Sequence, residues 1–152
     1  MARLLIVHHT VSPATQELLG AVLDGARNDE VEGVEVRAEA ALSATASDLL
    51  GADALVLGTP ANIGYMSGAL KVFFDTVFYP AQGATAGLPY ALYVHGDNDT
   101  SGAVRAVESI AKGVGWERCR PPVTVTGRPD AAAREACWEL GAVSALAALG
   151  QV

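Results

Sequence analysis

Three polar segments hold the residues of this chain best suited to grip a ligand. They are Thr10-Val11-Ser12-Pro13-Ala14-Thr15, Thr59-Pro60-Ala61-Asn62-Ile63-Gly64-Tyr65-Met66-Ser67-Gly68 and His95-Gly96-Asp97-Asn98-Asp99-Thr100-Ser101-Gly102. Each follows an apolar run with the character of a buried strand, and each opens onto a run with helical spacing. In an open α/β sheet, ligands bind beyond the carboxyl ends of the strands, at the point where strand order reverses. One such loop means little alone. Three in a chain of 152 residues point to a site of mononucleotide size.

The first segment sets three hydroxyls, on Thr10, Ser12 and Thr15, between a strand and a helix start. The free N–H groups of a first helical turn and the helix dipole attract an anion there. No Lys or Arg lies between residues 4 and 26, so a phosphate would be held by amides and hydroxyls alone. Ordinary capping explains the same residues, since Ser and Thr are favoured N-caps and Pro13 suits a first turn. The segment is neither a G-x-x-x-x-G-K-[ST] loop nor a G-x-G-x-x-G turn. It also lacks the Cys and Arg of a phosphatase loop.

In the second segment, Pro60 and Gly64 are expected to punctuate a turn that ends the strand. Asn62, Ile63, Tyr65 and Met66 then stand at the sheet edge, where a side chain can lie against a planar ring. Core packing accounts for Tyr65 or Met66 taken singly. In the third segment, Asp99, Thr100 or Ser101 is expected to cap the next helix, while backbone groups of residues 95 to 98 can hold the edge of a ring. His95 is more often structural than catalytic in such a place. His9 can flank a phosphate, and His8 reads as a packing residue.

These loops require alternating strands and helices, hence a parallel sheet covered on both faces. Strands are expected at about 3–8, 34–38, 54–58, 90–94 and 123–126. Helices are expected at about 15–28, 46–50, 67–77, 102–114 and 130–149, with 79–87 a long loop. Leu18, Leu19, Val22, Leu23 and Ala26 make the apolar face of the first helix, and Leu70, Phe73, Phe74 and Val77 that of the third. Ser67 and Asp130 read as N-caps. The sum is an α/β, three-layer, doubly wound domain with five parallel strands in the order 2-1-3-4-5.

Composition agrees. The chain is 51% hydrophobic and 18% charged, with net charge −7, so it is expected to fold as one domain rather than stay disordered. Its acidity argues against nucleic acid, which needs a basic patch. Cys119 and Cys137 have neither C-x-x-C spacing nor a neighbouring His, so no metal site is expected. No run reaches membrane-spanning length, and no leader pattern precedes the first strand. Cytoplasmic localisation is the expectation.

The residues resemble the flavodoxin-like flavoproteins, and within them the small NAD(P)H:quinone oxidoreductase and FMN reductase branch. That branch often shows a phosphate loop of the type H-S-x-T-G-N-T, here His9-Thr10-Val11-Ser12-Pro13-Ala14-Thr15. Its second loop often reads G-T-P-x-x-x-G-x-M-S-G followed by x-x-K-x-F-x-D. Gly58-Thr59-Pro60, Gly64, Met66-Ser67-Gly68, Lys71, Phe73 and Asp75 match it. The resemblance implies noncovalent FMN, with NAD(P)H as electron donor. Residues 10 to 15 would hold the phosphate, Pro60, Ala61, Asn62, Ile63 and Gly64 would line the ring, and His95, Gly96, Asp97 and Asn98 would line its far edge.

Three departures bear on affinity. Pro13 stands for the usual Gly and removes a donor, Ala14 stands for the usual Asn, and Ile63 stands where an aromatic is common. The leading expectation is an FMN-dependent oxidoreductase serving a quinone or other small acceptor. The alternatives are a flavodoxin-type carrier serving a redox protein, or a degenerate binding protein with weak or no FMN. A homodimer is expected by analogy.

Overall fold

The computed structural model describes residues 1–152. Its elements alternate as β1 (Ala2–His8), α1 (Pro13–Ala26), β2 (Val34–Ala40), α2 (Ala46–Leu50), β3 (Ala54–Asn62), β4 (Tyr65–Met66), α3 (Gly68–Ala81), β5 (Pro89–Gly96), α4 (Ser101–Val114), β6 (Glu117–Arg118), β7 (Val123–Thr126) and α5 (Ala131–Ala148). The main sheet runs β2-β1-β3-β5, with β6 and β7 end to end along the outer edge of β5. All of these pairings are parallel. The order reverses at β1 and β3, the switch point the sequence requires. The expected fifth strand is β7, with β6 a short preceding piece. Residues 119 to 122, with Pro121-Pro122, separate the two, because proline cannot donate to a ladder.

Two apolar layers hold the sheet. Leu4, Ile6, Val56, Ala91 and Tyr93 face α1 and α5, and Leu5, Val7, Leu55, Leu57, Leu92 and Val94 face α3 and α4. The strands at the centre are therefore apolar on both faces, as buried parallel strands must be. Helices α1 and α5 pack closely because Gly25 and Gly141 leave room for backbone. A Cβ at Gly25 would overlap the Trp138 carbonyl, and one at Gly141 would overlap that of Val22.

Several boundaries differ from expectation. β3 does not end before Pro60; it runs to Asn62, with Thr59 opposite Val94 and Pro60 opposite His95. β1 pairs with β3 only as far as Gly58, so the missing N–H of Pro60 lies where that edge has no neighbour. β4 pairs back on β3 as a small antiparallel hairpin. α3 continues through Pro80 to Ala81, one residue past a proline that cannot donate to the carbonyl one turn back. Residues 79 to 81 therefore belong to the helix, not to a loop. β2 extends to Ala40.

Candidate functional site

Thr10 to Thr15 leave the end of β1, Ala61 to Gly64 the end of β3, and Asp97 to Thr100 the end of β5. Since β1, β3 and β5 are adjacent, the three segments stand in a row beyond one edge of the sheet. His8 is opposite Gly58, and the His9 N–H donates to the Gly58 carbonyl. The first two loops are thus in register.

The first loop is built around Thr15, which is buried. Its Oγ1 accepts the N–H groups of Val11 and Ser12, each at 3.0 Å. Ser12 caps α1 by accepting the Thr15 N–H at 3.1 Å. The capping expectation is met, with Ser12 and Thr15 forming a capping box. The N–H groups of Thr10 and Ala14 have no protein partner, so they are open to an anion. Pro13 offers none. Thr10 Oγ1 lies 2.7 Å from His8 Nδ1, so His8 buttresses the loop as well as packing. Burial and the neighbouring His9 hold the His8 imidazole below its usual basicity.

His9 adds a feature the sequence only hints at. Its Nδ1 is buried without a hydrogen-bond partner, and an orphaned buried polar atom costs about 1–3 kcal/mol unless a partner arrives. Next in sequence to the free N–H of Thr10, it fits a loop that takes a bound oxyanion.

The second loop is a tight hairpin turn. Ile63 and Gly64 both have positive φ, 49° and 73°, the pattern of a type I′ turn that favours Asn-Gly. A β-branched residue there is strained, and Ile63 is also fully exposed. Its side chain projects from the site's edge as an unpartnered apolar tip. Thr59 fixes the base of the turn. Its Oγ1 accepts the Ser67 N–H at 3.0 Å and donates to the Pro60 carbonyl at 2.8 Å. Ser67 in turn caps α3 through the Leu70 N–H. Asn62 and Gly64 are exposed, and Ala61 is half-buried.

In the third loop, His95 and Gly96 are the last residues of β5, not loop residues. His95 Nε2 bonds the Gly127 carbonyl at 2.7 Å, which ties β5 to the chain after β7. Asp97 and Asn98 are exposed. Thr100 occupies the N-cap position of α4 without a side-chain bond. Asp99 serves the helix start instead, its carboxylate accepting from the Ser101 N–H and Oγ. Those two bonds hold the Asp99 carboxyl below its ordinary range. The second and third loops touch at Gly102, where a Cβ would overlap the Gly64 carbonyl oxygen. Thr59 and Gly102 stand in the segments named from sequence, but their positioning contacts, to Ser67 and Pro60 and to Gly64, carry no sequence signal.

Lys71, Phe73 and Asp75 are structural. Lys71 Nζ pairs with Asp75 at 2.6 Å along the surface of α3, and Phe73 is buried.

Fold and element order together define an α/β protein of flavodoxin type. The NADPH-dependent FMN reductase family model matches residues 11–117, and the chain belongs to that family. A flavodoxin of Aquifex aeolicus (strain VF5) is 39% identical over 77 residues, 51% of this chain. The match spans only 40% of that relative's length. A flavodoxin of Streptococcus pneumoniae TIGR4 superposes with TM-score 0.80 at 21% identity, covering 99% of this chain and 100% of that one. A WrbA-like flavodoxin of Agrobacterium tumefaciens does so with TM-score 0.78 at 17% identity, over 100% of both chains. FMN is the cofactor that family membership indicates, and NADPH as donor fits the family's name. The donor set of the first loop fits its phosphate. No helix is long and apolar enough to cross a membrane.

Proposed function

We propose that this flavoprotein is an oxidoreductase that takes electrons from NAD(P)H and passes them to a quinone or another small acceptor. The observation that carries the reading is the row of three loops beyond β1, β3 and β5, in a chain of the FMN reductase family. Bound FMN would supply the redox chemistry, accepting hydride and releasing electrons. The protein's part is to hold, orient and tune.

Thr10, Val11, Ser12, Pro13, Ala14 and Thr15 form the phosphate loop, through the free N–H groups of Thr10 and Ala14 and the hydroxyls. Pro60, Ala61, Asn62, Ile63 and Gly64 line the ring, with the Ile63 tip against its face. His95, Gly96, Asp97 and Asn98 line the far edge. Carboxylates at Asp97 and Asp99 disfavour added negative charge nearby, so they lower the reduction potential. No side chain is assigned a catalytic proton transfer. A homodimer and a cytoplasmic location complete the proposal.

The runner-up is a carrier that exchanges electrons with a redox protein. The acidic charge and the likeness to the Aquifex flavodoxin favour it. The test is NADPH oxidation by the FMN-loaded protein, followed at 340 nm with a benzoquinone acceptor. Turnover that needs both FMN and protein supports the reductase. FMN binding with no NADPH oxidation supports the carrier. No FMN binding leaves a degenerate binding protein, which Pro13 and Ala14 would then explain.

A further inference from the structure

The chain carries ten Lys and Arg residues against seventeen acids. Arg3, Arg37, Lys71, Arg118 and Arg120 pair with carboxylates. Arg27 and Arg134 donate to main-chain carbonyls. That leaves Arg105, Lys112 and Arg128 without a bonded partner, and two of these, Arg105 and Lys112, line one groove beside α4.

The groove follows from the fold. β7 is an edge strand, and alternation turns Val123 and Val125 toward the α5 layer. Thr124 is left facing the other side, where α4 packs over β3 and β5 and does not cover it. Thr100, Ser101, Ser109 and Thr124 line the groove with hydroxyls. Its one acid, Glu108, is engaged by Arg118 at 2.8 Å. Asp99 feels Arg105 only at longer range and gives its carboxylate to Ser101. In a strongly acidic protein, this groove keeps two cations uncommitted.

Its position says what they meet. The groove begins at Thr100 and Ser101, where the third loop enters α4, and Lys112 lies about 16 Å along the helix axis from Ser101 at 1.5 Å per residue. A ligand that starts at the site and follows this groove is long, carries hydroxyls and ends in negative charge. NADPH has that form, and it differs from NADH by a single phosphate on the adenosine ribose. We infer that the α4 groove binds the adenosine end of NADPH, with Arg105 and Lys112 receiving the 2′-phosphate and so selecting NADPH over NADH. The inference rests on the nicotinamide-dependent reading above.

Adenosine 2′,5′-bisphosphate and 5′-AMP serve as probes in calorimetric titrations of the FMN-loaded protein, so that binding is read apart from turnover. The wild type should prefer the bisphosphate by about tenfold or more, as expected for charge-assisted contacts to one phosphate. Arg105→Gln with Lys112→Gln should abolish the preference and leave 5′-AMP binding unchanged. Both side chains are exposed, so the fold is not at risk. Glu108→Gln should strengthen the bisphosphate by removing the groove's one carboxylate. Equal binding of the two probes, or a preference that survives the double substitution, overturns the inference. If the bisphosphate is preferred but NADPH is not oxidised, the groove stands and the reductase reading falls. If NADPH and NADH are oxidised equally well and the double variant changes neither, the reductase stands and the groove falls.

Discussion

Thr15 concentrates the site's design in one side chain. A buried hydroxyl accepts two loop amides and lies 3.0 Å from Ser12 Oγ. Thr15→Val keeps the shape and removes the bonds. Leaving those amides unpaired should destabilise the protein by about 1–3 kcal/mol, which lowers Tm by several degrees, read by thermal denaturation, and weakens FMN. Ile63 predicts the opposite trade. Ile63→Asn suits the positive φ and the type I′ turn, so the flavin-free protein should gain about 1 kcal/mol at most. The same substitution removes the apolar tip, so FMN affinity should fall. A variant that is more stable and binds FMN as tightly as before contradicts the assigned role of Ile63. Motif reading found both residues. It did not find the strain at Ile63, because an Ile-Gly pair carries no hairpin signal.

Among the elements, the contact between α4 and the β3–β4 hairpin decides whether the second and third loops form one wall. Gly102→Ala would drive a methyl group into the Gly64 carbonyl. Overpacking of this kind costs about 1–3 kcal/mol, and the strain falls on the β3–β4 hairpin. Urea unfolding should show the loss, and FMN binding should weaken more than the stability change alone explains. Unchanged FMN affinity would mean that the two loops act separately. The elements themselves were legible where periodicity is strong: α1, α4, α5 and the three buried strands β1, β3 and β5 follow from apolar spacing. Pro60 hid the end of β3, because proline reads as a breaker when the neighbouring strand is out of view. Pro80 hid the last turn of α3 for the same reason. The hairpin and β6 are two-residue strands, too short for any alternation to show.

For the whole molecule, two titrating groups set separate pH windows. The His8 imidazole has a folded pKa below its ordinary 6.5, so the unfolded chain binds its proton first. Its contribution to stability is complete above about pH 7 and declines as pH falls through 6.5 and below. Asp99 has a folded pKa below its ordinary 3.8, so its contribution is lost only in more acidic solution. Chemical denaturation across pH should therefore show an early loss that His8→Gln removes and a later one that Asp99→Asn removes. A loss near pH 6 that survives His8→Gln would contradict the first assignment. The doubly wound order was legible from the five-strand alternation, since few topologies accommodate it. The orphaned His9 nitrogen and the uncommitted cations beside α4 were not, because pairing is a property of three-dimensional neighbours.

The central claim is that the loops beyond β1, β3 and β5 form one FMN site with its phosphate in the Thr10–Thr15 loop. Fluorescence titration of the purified protein with FMN and, separately, riboflavin tests it most directly. Saturable one-to-one FMN binding is expected, with riboflavin weaker by about tenfold or more for want of the phosphate and a Thr15→Val variant in which that difference shrinks. No FMN binding, or riboflavin bound as tightly as FMN, would contradict it.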